Sequence, residues 1–269
     1  MPHRQRLWLN EDERQRQVGC APEAQDEAFF GFERVQAREK SARVRRHFDS
    51  VAHVYDFMNT LLSFGIHHAW KRESVRMLKL QPGERVLDVC GGTGDLAILA
   101  GRRVGSRGRV VIYDINRAMI AAGLSKVLGG PLKDRIRHVQ GDAEQVSFPD
   151  RSFEAAMVGF GIRNVSRMRQ GFAEMHRVLK PGGRLLCLEF SRPVWPVFRA
   201  LYDMYSFRVM PFLGELIAGS RKAYTHLPES IRMFPLPEEL AEMLRQVGFS
   251  RVTYRHFTNG IAVAHLAVK

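Results

Sequence analysis

The feature that most constrains this chain is a short apolar run followed at once by a glycine-rich turn and a helical segment. Residues 85–90 (RVLDVC) come after the turn pair Pro82-Gly83, then Gly91, Gly92, Thr93 and Gly94 lead into a helical stretch over 95–103. A run of that length between turn residues reads as a buried strand, and the glycines allow a tight strand-to-helix loop. The unit recurs. Residues 109–113 (RVVIY) form a second strand ending at Asp114, and Asn116 is placed to cap a helix running to about Leu128. Strands over 135–140, 153–160 and 184–190 follow, with a helix over 166–179 stopped by Lys180-Pro181-Gly182-Gly183. A helix over 237–247, closed by Gly248, precedes two final strands near 251–257 and 261–268. Such alternation predicts an α/β fold: a mostly parallel sheet with helices on both faces and an antiparallel hairpin strand at the C-terminal end.

Three parts are expected. Residues 1–30 are polar and mixed in sign, the composition of a disordered extension. Residues 31–80 read as an N-terminal helical cap, and residues 81–269 as the ligand-binding domain. Within that domain the aromatic, Met-rich segment 195–219 (WPVFRALYDMYSFRVMPFLGELIAG) breaks the alternation, which predicts a helical insertion reaching to about 233. Glu11, Asp12, Glu13, Glu23, Asp26 and Glu27 conflict with the acid-poor composition of an organelle transit peptide, and no apolar secretory core is present. No stretch of 18 apolar residues lacks a charge, so a membrane-spanning helix is not expected. Cys20, Cys90 and Cys187 share no metal-binding or redox spacing, which fits a reducing cytoplasm and argues against a structural metal.

Forty-one basic residues against 28 acidic ones give a net charge of +13, which favours anionic partners. Residues 161–235 alone hold 12 Lys/Arg and 5 Asp/Glu, in a region rich in aromatics. No helix-turn-helix, RNA-binding or zinc-finger pattern is present, so acidic lipid headgroups are a better match than nucleic acid.

In α/β sheets, ligands bind beyond the carboxyl ends of the strands, which here gathers Asp88, Gly91–Gly94, Asp114, Asp142, Ala143 and Gly159. Gly92-Thr93-Gly94-Asp95-Leu96-Ala97 satisfies a dinucleotide-type glycine pattern, with Asp114 at the customary distance. The charges argue otherwise. Asp95 and Asp88 would face a pyrophosphate, and like charges about 4 Å apart repel by roughly 4 kcal/mol at an effective dielectric of about 20. S-adenosylmethionine fits better: its sulfonium and amino groups are cationic, its ribose suits Asp114, and its adenine suits Asp142.

Residues 91–96 (GGTGDL), 142–149 (DAEQVSFP) and 177–191 (RVLKPGGRLLCLEFS) resemble class I methyltransferases, whose sheet is Rossmann-like. Residues 55–71 (YDFMNTLLSFGIHHAWK), 160–165 (FGIRNV) and 223–233 (AYTHLPESIRM) are similar to segments of the ubiquinone/menaquinone C-methyltransferase family. The resemblance covers residues from about 31 to 269. It departs at Gly159, where serine is common, at Cys90, where alanine is commoner, and at His68, where arginine is usual; Asp142 stands where asparagine is also found.

What the resemblance implies is methyl transfer from S-adenosylmethionine to a ring carbon of a lipid-soluble quinol: demethylmenaquinol, the benzoquinol precursor of ubiquinone, or both. Such a ring needs a hydroxyl proton removed and a phenolate stabilised. Arg163 and Asn164 are candidates for these tasks, with His67, near its ordinary pKa of about 6.5, as an alternative base. Tyr55 and Asn59 are expected to close the quinol pocket. The insoluble tail implies peripheral contact with the inner face of a membrane. Trp195, Phe198, Tyr202, Tyr205, Phe207, Phe212 and Leu213, flanked by Arg199, Arg208, Arg221 and Lys222, suit such docking. A buried cap or a homodimer interface are the alternatives for these aromatics. An NAD-dependent oxidoreductase, a methyltransferase acting on RNA or a small phenol, and a scaffold with a vestigial ligand site remain the competing functions.

Overall fold

A computed structural model describes residues 27–269. Five strands run parallel in the order β5 (Ile136–Gln140), β4 (Arg109–Asp114), β3 (Arg85–Val89), β6 (Phe153–Gly159) and β7 (Leu179–Phe190). Beyond β7 lie β9 (Ala262–Val268), antiparallel to its neighbour, and β8 (Arg251–Phe257) at the edge. The expected α/β sheet with a closing antiparallel hairpin is present.

Strand alternation explains why both faces are covered. Val86 and Ile112 point into one core with Ala97, Val104 and Val75, whereas Leu87 and Tyr113 point into another with Phe172, Met175 and Leu240. The first core is sealed by the helices α3 (Ile66–Met77) and α4 (Asp95–Arg103), the second by α6 (Met168–Val178) and α10 (Pro237–Val247). Fully burying each such side chain contributes about 1.5–3 kcal/mol, so neither face tolerates exposure. On the first side, α5 (Arg117–Leu128) begins at Asn116, whose side chain accepts a 2.8 Å hydrogen bond from the Met119 amide, the cap read from sequence.

One boundary differs. A strand starting at 184 was the sequence expectation, but β7 begins at Leu179, directly after α6. Leu179 takes extended geometry and pairs with Phe153; the register then shifts before Ala155 pairs with Arg184. Gly182, at φ +73°, turns the chain inside that irregularity.

The other departure from a plain α/β sheet is a helical cap drawn from two places in the chain. A hairpin of β1 (Glu27–Phe30) and β2 (Glu33–Gln36) leads into α1 (Ala37–Val51), followed by α2 (Tyr55–Leu62). Residues 27–30 were expected in the disordered extension and are instead a strand, because Phe30 stacks on His226 at 3.8 Å; residues 1–26 lie outside the described residues. The insertion contributes α7 (Pro196–Met204), a π-helical turn over 205–209, α8 (Met210–Ala218) and α9 (Arg221–Arg232). Val51, Met58 and Leu62 pack against Met210, Ala223 and Tyr224 in a third apolar cluster. Arg232, buried, ties α9 to α7 through Asp203 and donates 2.8 Å to Ser206 Oγ. No helix among the described residues is long and apolar enough to cross a membrane.

Candidate active site

The carboxyl ends of β3, β4 and β6 open into a cleft of about 110 Å³ lined by Asp88, Gly91, Gly92, Thr93, Asp114, Asp142, Ala143 and Gly159. Gly94 stands behind this wall as the left-handed cap of α4, at φ +83°, where a Cβ would lie 2.7 Å from Ile112 Cδ1. At Gly159 an added Cβ would meet Leu96 Cδ1 at 2.6 Å, so a serine here requires Leu96 to move.

The carboxylates are not equivalent. Asp88 Oδ2 accepts from the Ala97 amide at 3.0 Å, fixing the start of α4, while buried Oδ1 has no partner. Burial pushes its carboxyl well above the ordinary range, and neighbouring Asp114 and Asp95 add to the effect. Such a group favours an incoming cation, because a nearby positive charge stabilises its ionised form. Asp114 accepts from the Gly92 and Asn116 amides at 2.8 and 2.7 Å, which oppose the upward push of burial. Asp142 is exposed and accepts from the Glu144 amide at 2.9 Å.

Asp95 corrects the sequence reading. Its oxygens accept from Lys71 Nζ at 2.7 Å and Lys126 Nζ at 2.8 Å, and despite burial these two ammoniums hold its carboxyl below the usual range. Lys126 also pairs with Asp56 and donates 3.0 Å to Thr93 Oγ1, which itself donates 2.7 Å to Asp56. Asp95 is therefore compensated, and the preference for a cationic ligand rests on Asp88 and Asp114 instead. His67, His68 and Asp95 bring potential metal-ligand atoms within 4.8 Å of one another, but the two lysines already occupy Asp95, so the donor set does not suit a cation.

A second, larger cavity of about 680 Å³ adjoins the cleft, and Phe48, Tyr55, Lys71, Phe160 and Asn164 belong to both walls. Asn59, His67 and Arg163 line it as well. All five residues expected at the quinol pocket therefore meet in one chamber. Arg163 Nη1 donates 2.9 Å to Glu189 Oε2, the two side chains being 7% and 2% exposed. It also donates to the Phe160 carbonyl, and the guanidinium lies 5.5 Å from the Phe190 ring centroid. Buried Arg163 Nε and Asn164 Nδ2, on residues that line the chamber, have no hydrogen-bond partner. Buried donors left unmade are costly, about 1–3 kcal/mol each, and their presence at a cavity wall points to a ligand acceptor.

His67 sits within 2.6 Å of Ser63 Oγ through Nδ1. Its expected pKa near 6.5 is corrected: burial, then Lys71, lower the imidazole to about 4. His47 and His226 also line the chamber, their rings 5.2 Å apart, and burial holds them at about 4 and about 3.

Sequence reasoning missed these two histidines, Lys71, Lys126 and Glu189. His226 and Lys71 lie inside segments already singled out, and Glu189 is an acid at the end of an apolar strand, a position that could have flagged it. Lys40 was missed too: its buried ammonium donates to the Arg163 and Val165 carbonyls at 3.2 and 2.9 Å, and burial lowers it to about 8.

The sequence profile of the ubiE/COQ5 methyltransferase family matches residues 36–269. The chain is 45% identical over 246 residues to the ubiquinone/menaquinone biosynthesis C-methyltransferase UbiE of Methylococcus capsulatus, covering 91% of this chain and 99% of that protein. It is 44% identical over 249 residues to UbiE of Stutzerimonas stutzeri, covering 93% and 97%. Among solved structures it resembles the [4+2]-cyclase SpnF (TM-score 0.62, 17% identity, 85% and 96% covered). It also resembles a SAM-dependent methyltransferase from Aquifex aeolicus (TM-score 0.51, 20% identity, 74% and 88% covered). Those two likenesses are of fold alone. Sequence match and cleft geometry agree: the chain belongs to the ubiE/COQ5 methyltransferase family.

Proposed function

We propose that this chain transfers a methyl group from S-adenosylmethionine to a ring carbon of a reduced polyprenyl quinone precursor. The observation that carries the reading is the shared wall: an acid-lined cleft and an apolar chamber meet at Tyr55, Phe160 and Asn164. Cavities that share lining residues adjoin, so reactants bound in the two can meet and gain the proximity that methyl transfer needs.

S-adenosylmethionine, when bound, supplies an electrophilic methyl group next to a positive sulfonium. Asp88, Asp114, Asp142 and the Gly91–Thr93 backbone hold it, and the unpartnered Asp88 Oδ1 fits a cationic ligand. Asn164 Nδ2 and Arg163 Nε donate to the quinol oxygens. Because Glu189 balances the Arg163 charge, the guanidinium acts as a fixed donor that stabilises the forming phenolate. Arg163 is always protonated and so is no base itself; it orients a water that takes the proton of the ring hydroxyl as the phenolate forms. His67 is the alternative acceptor, a weak base because burial and Lys71 lower its imidazole to about 4. Tyr55 and Asn59 exclude water from the ring.

In this reading residues 31–80 and 195–233 are the cap over the acceptor, and the cap meets a membrane. Trp195 and Phe212 are exposed, with Val194, Val197, Leu201, Met204 and Leu216 beside them in the chain. The other residues expected to dock face inward: Phe198, Tyr202 and Tyr205 line the chamber, Leu213 joins the third cluster, and Phe207 stacks under Arg232. Arg221 is paired with Glu215, which leaves Arg199, Arg208 and Lys222 as the nearby positive charges for anionic headgroups. The apolar face is thus read as lipid-facing at the inner surface of a membrane rather than as a homodimer contact.

The test is direct. Purified protein is incubated with methyl-labelled S-adenosylmethionine and either demethylmenaquinol or the benzoquinol, and the label is located by mass spectrometry. Label on a ring carbon is the expected result. Donor binding without transfer to either quinol would sink the acceptor assignment, and tight NAD binding in its place would sink the donor.

A further inference from the structure

The chamber has an apolar mouth. Three large apolar residues, Phe64, Ile66 and Leu201, belong to the chamber wall and yet are 85%, 40% and 54% exposed. They come from separate elements, Phe64 in the turn between α2 and α3, Ile66 at the start of α3, and Leu201 on α7. Tyr205 braces the gap: its hydroxyl donates 2.8 Å to the Leu62 carbonyl, and its ring lies 6.1 Å from that of Phe64.

The turn is built to expose its phenylalanine. Phe64 sits at φ +50° and Gly65 follows at φ +73°. A bulky residue in the left-handed region is strained, and such strain persists where the surrounding structure imposes it for a function. On α7, Val197, Leu201 and Met204 fall at i, i+4 and i+7, one apolar stripe, and all three are exposed. The facing residues Phe198 and Tyr202 turn into the chamber. Polarity thus grades from Arg163, Asn164 and Asn59 inside to aliphatic and aromatic carbon at the rim.

We infer that this mouth is the exit for the isoprenoid tail of the acceptor, gripping the first units while the rest runs out along the α7 stripe. The inference rests on the quinol reading above and adds where the tail goes. A chamber of about 680 Å³ lies within the ~300–1,000 Å³ range of pockets that enclose one drug-sized ligand, enough for a ring and a short tail but not for a full polyprenyl chain. Whatever part of the tail is not enclosed must leave through an apolar opening, because a polar one would strand hydrocarbon against water.

Two measurements on the full chain test this. In the first, quinols with one and with four isoprenyl units are offered in neutral detergent micelles to the parent and to Phe64→Glu and Leu201→Glu. The expected result is that kcat/KM for the long tail relative to the short one falls at least tenfold in each variant, with donor affinity by calorimetry kept as proof of folding. An unchanged ratio overturns the inference, whether both substrates suffer equally or neither does. In the second, a quinone with a photoreactive group on its third isoprenyl unit is bound without turnover. Cross-links to peptides holding Phe64, Ile66 or Leu201 support the exit, and cross-links confined to other surfaces overturn it. Failure of the parent to methylate either quinol refutes the acceptor assignment instead, and the cross-linking readout keeps the two failures apart.

Discussion

Replacing Glu189 with glutamine isolates what the buried ion pair contributes. The change keeps the side-chain shape and leaves a carbonyl within reach of Arg163 Nη1, 2.9 Å away, but removes the balancing charge. Removing one partner of a buried pair costs about 3–5 kcal/mol, since the other charge is left uncompensated. Arg163 Nη1 still has the Phe160 carbonyl, and the guanidinium still has the Phe190 ring, so the lower end, about 3 kcal/mol, is expected. For a chain of this size, about 1 kcal/mol moves Tm by roughly 2–4 °C, so E189Q should melt about 6–12 °C below the parent. Arg163→Gln should cost less, about 1–3 kcal/mol. Burial already pushes the Glu189 carboxyl up against the pull of Arg163, and without that arginine it takes a proton. The double variant should recover part of the loss, giving a coupling of about 2 kcal/mol in a urea-unfolding cycle. Additivity within about 0.5 kcal/mol would refute the picture of Arg163 as a charge-balanced, fixed donor.

Acid should loosen the cap. Burial holds His47 and His226 at about 4 and about 3, so the native state stays unprotonated while the unfolded chain takes up protons near pH 6.5. Stability is then intact above pH 6.5 and lost as pH falls toward 4, by up to ~1.4 kcal/mol per pH unit for each imidazole; a urea midpoint unchanged from pH 7 to 5 would contradict this. Asp88→Asn should weaken S-adenosylmethionine about tenfold or more, or about 1.4 kcal/mol, in calorimetry. At Gly214 a Cβ would stand 2.2 Å from Tyr224 Cδ2, so Gly214→Ala should force α8 from α9 at about 1–3 kcal/mol and raise KM for quinol, with donor affinity unchanged. Anionic vesicles should co-sediment the protein at low salt, and loss of binding in Trp195→Ser with Phe212→Ser would place the contact on α7 and α8.

The sheet was legible in residue order because strands covered on both faces are near-continuous apolar runs, and because Asn116, Gly94 and Gly248 act through local backbone geometry. The start of β7 was not: Leu179 leaves α6 without a turn, and only its pairing with Phe153 makes it a strand. The acid-rich cleft was found by counting positions after strands, but the neutralisation of Asp95 was invisible. Lys71 and Lys126 approach from separate helices, and nothing local marks them as its partners. The depressed pKa of His67 likewise depends on burial by remote segments. The aromatic insertion was recognised as a cap, yet its residues were treated as one surface. Helical periodicity separates Phe198 and Tyr202 from Val197, Leu201 and Met204, and that division could have been read from spacing alone.

The third apolar cluster has a consequence for how the chain is born. Val51, Met58 and Leu62 leave the ribosome early, but Met210, Ala223 and Tyr224, which cover them, follow roughly 150 residues later, on the order of ten seconds at 5–20 residues per second. Throughout that interval the growing polypeptide carries a sticky, unclad helix face. The helical cap is therefore completed only once the insertion has been synthesised, after the first strands of the donor-binding sheet.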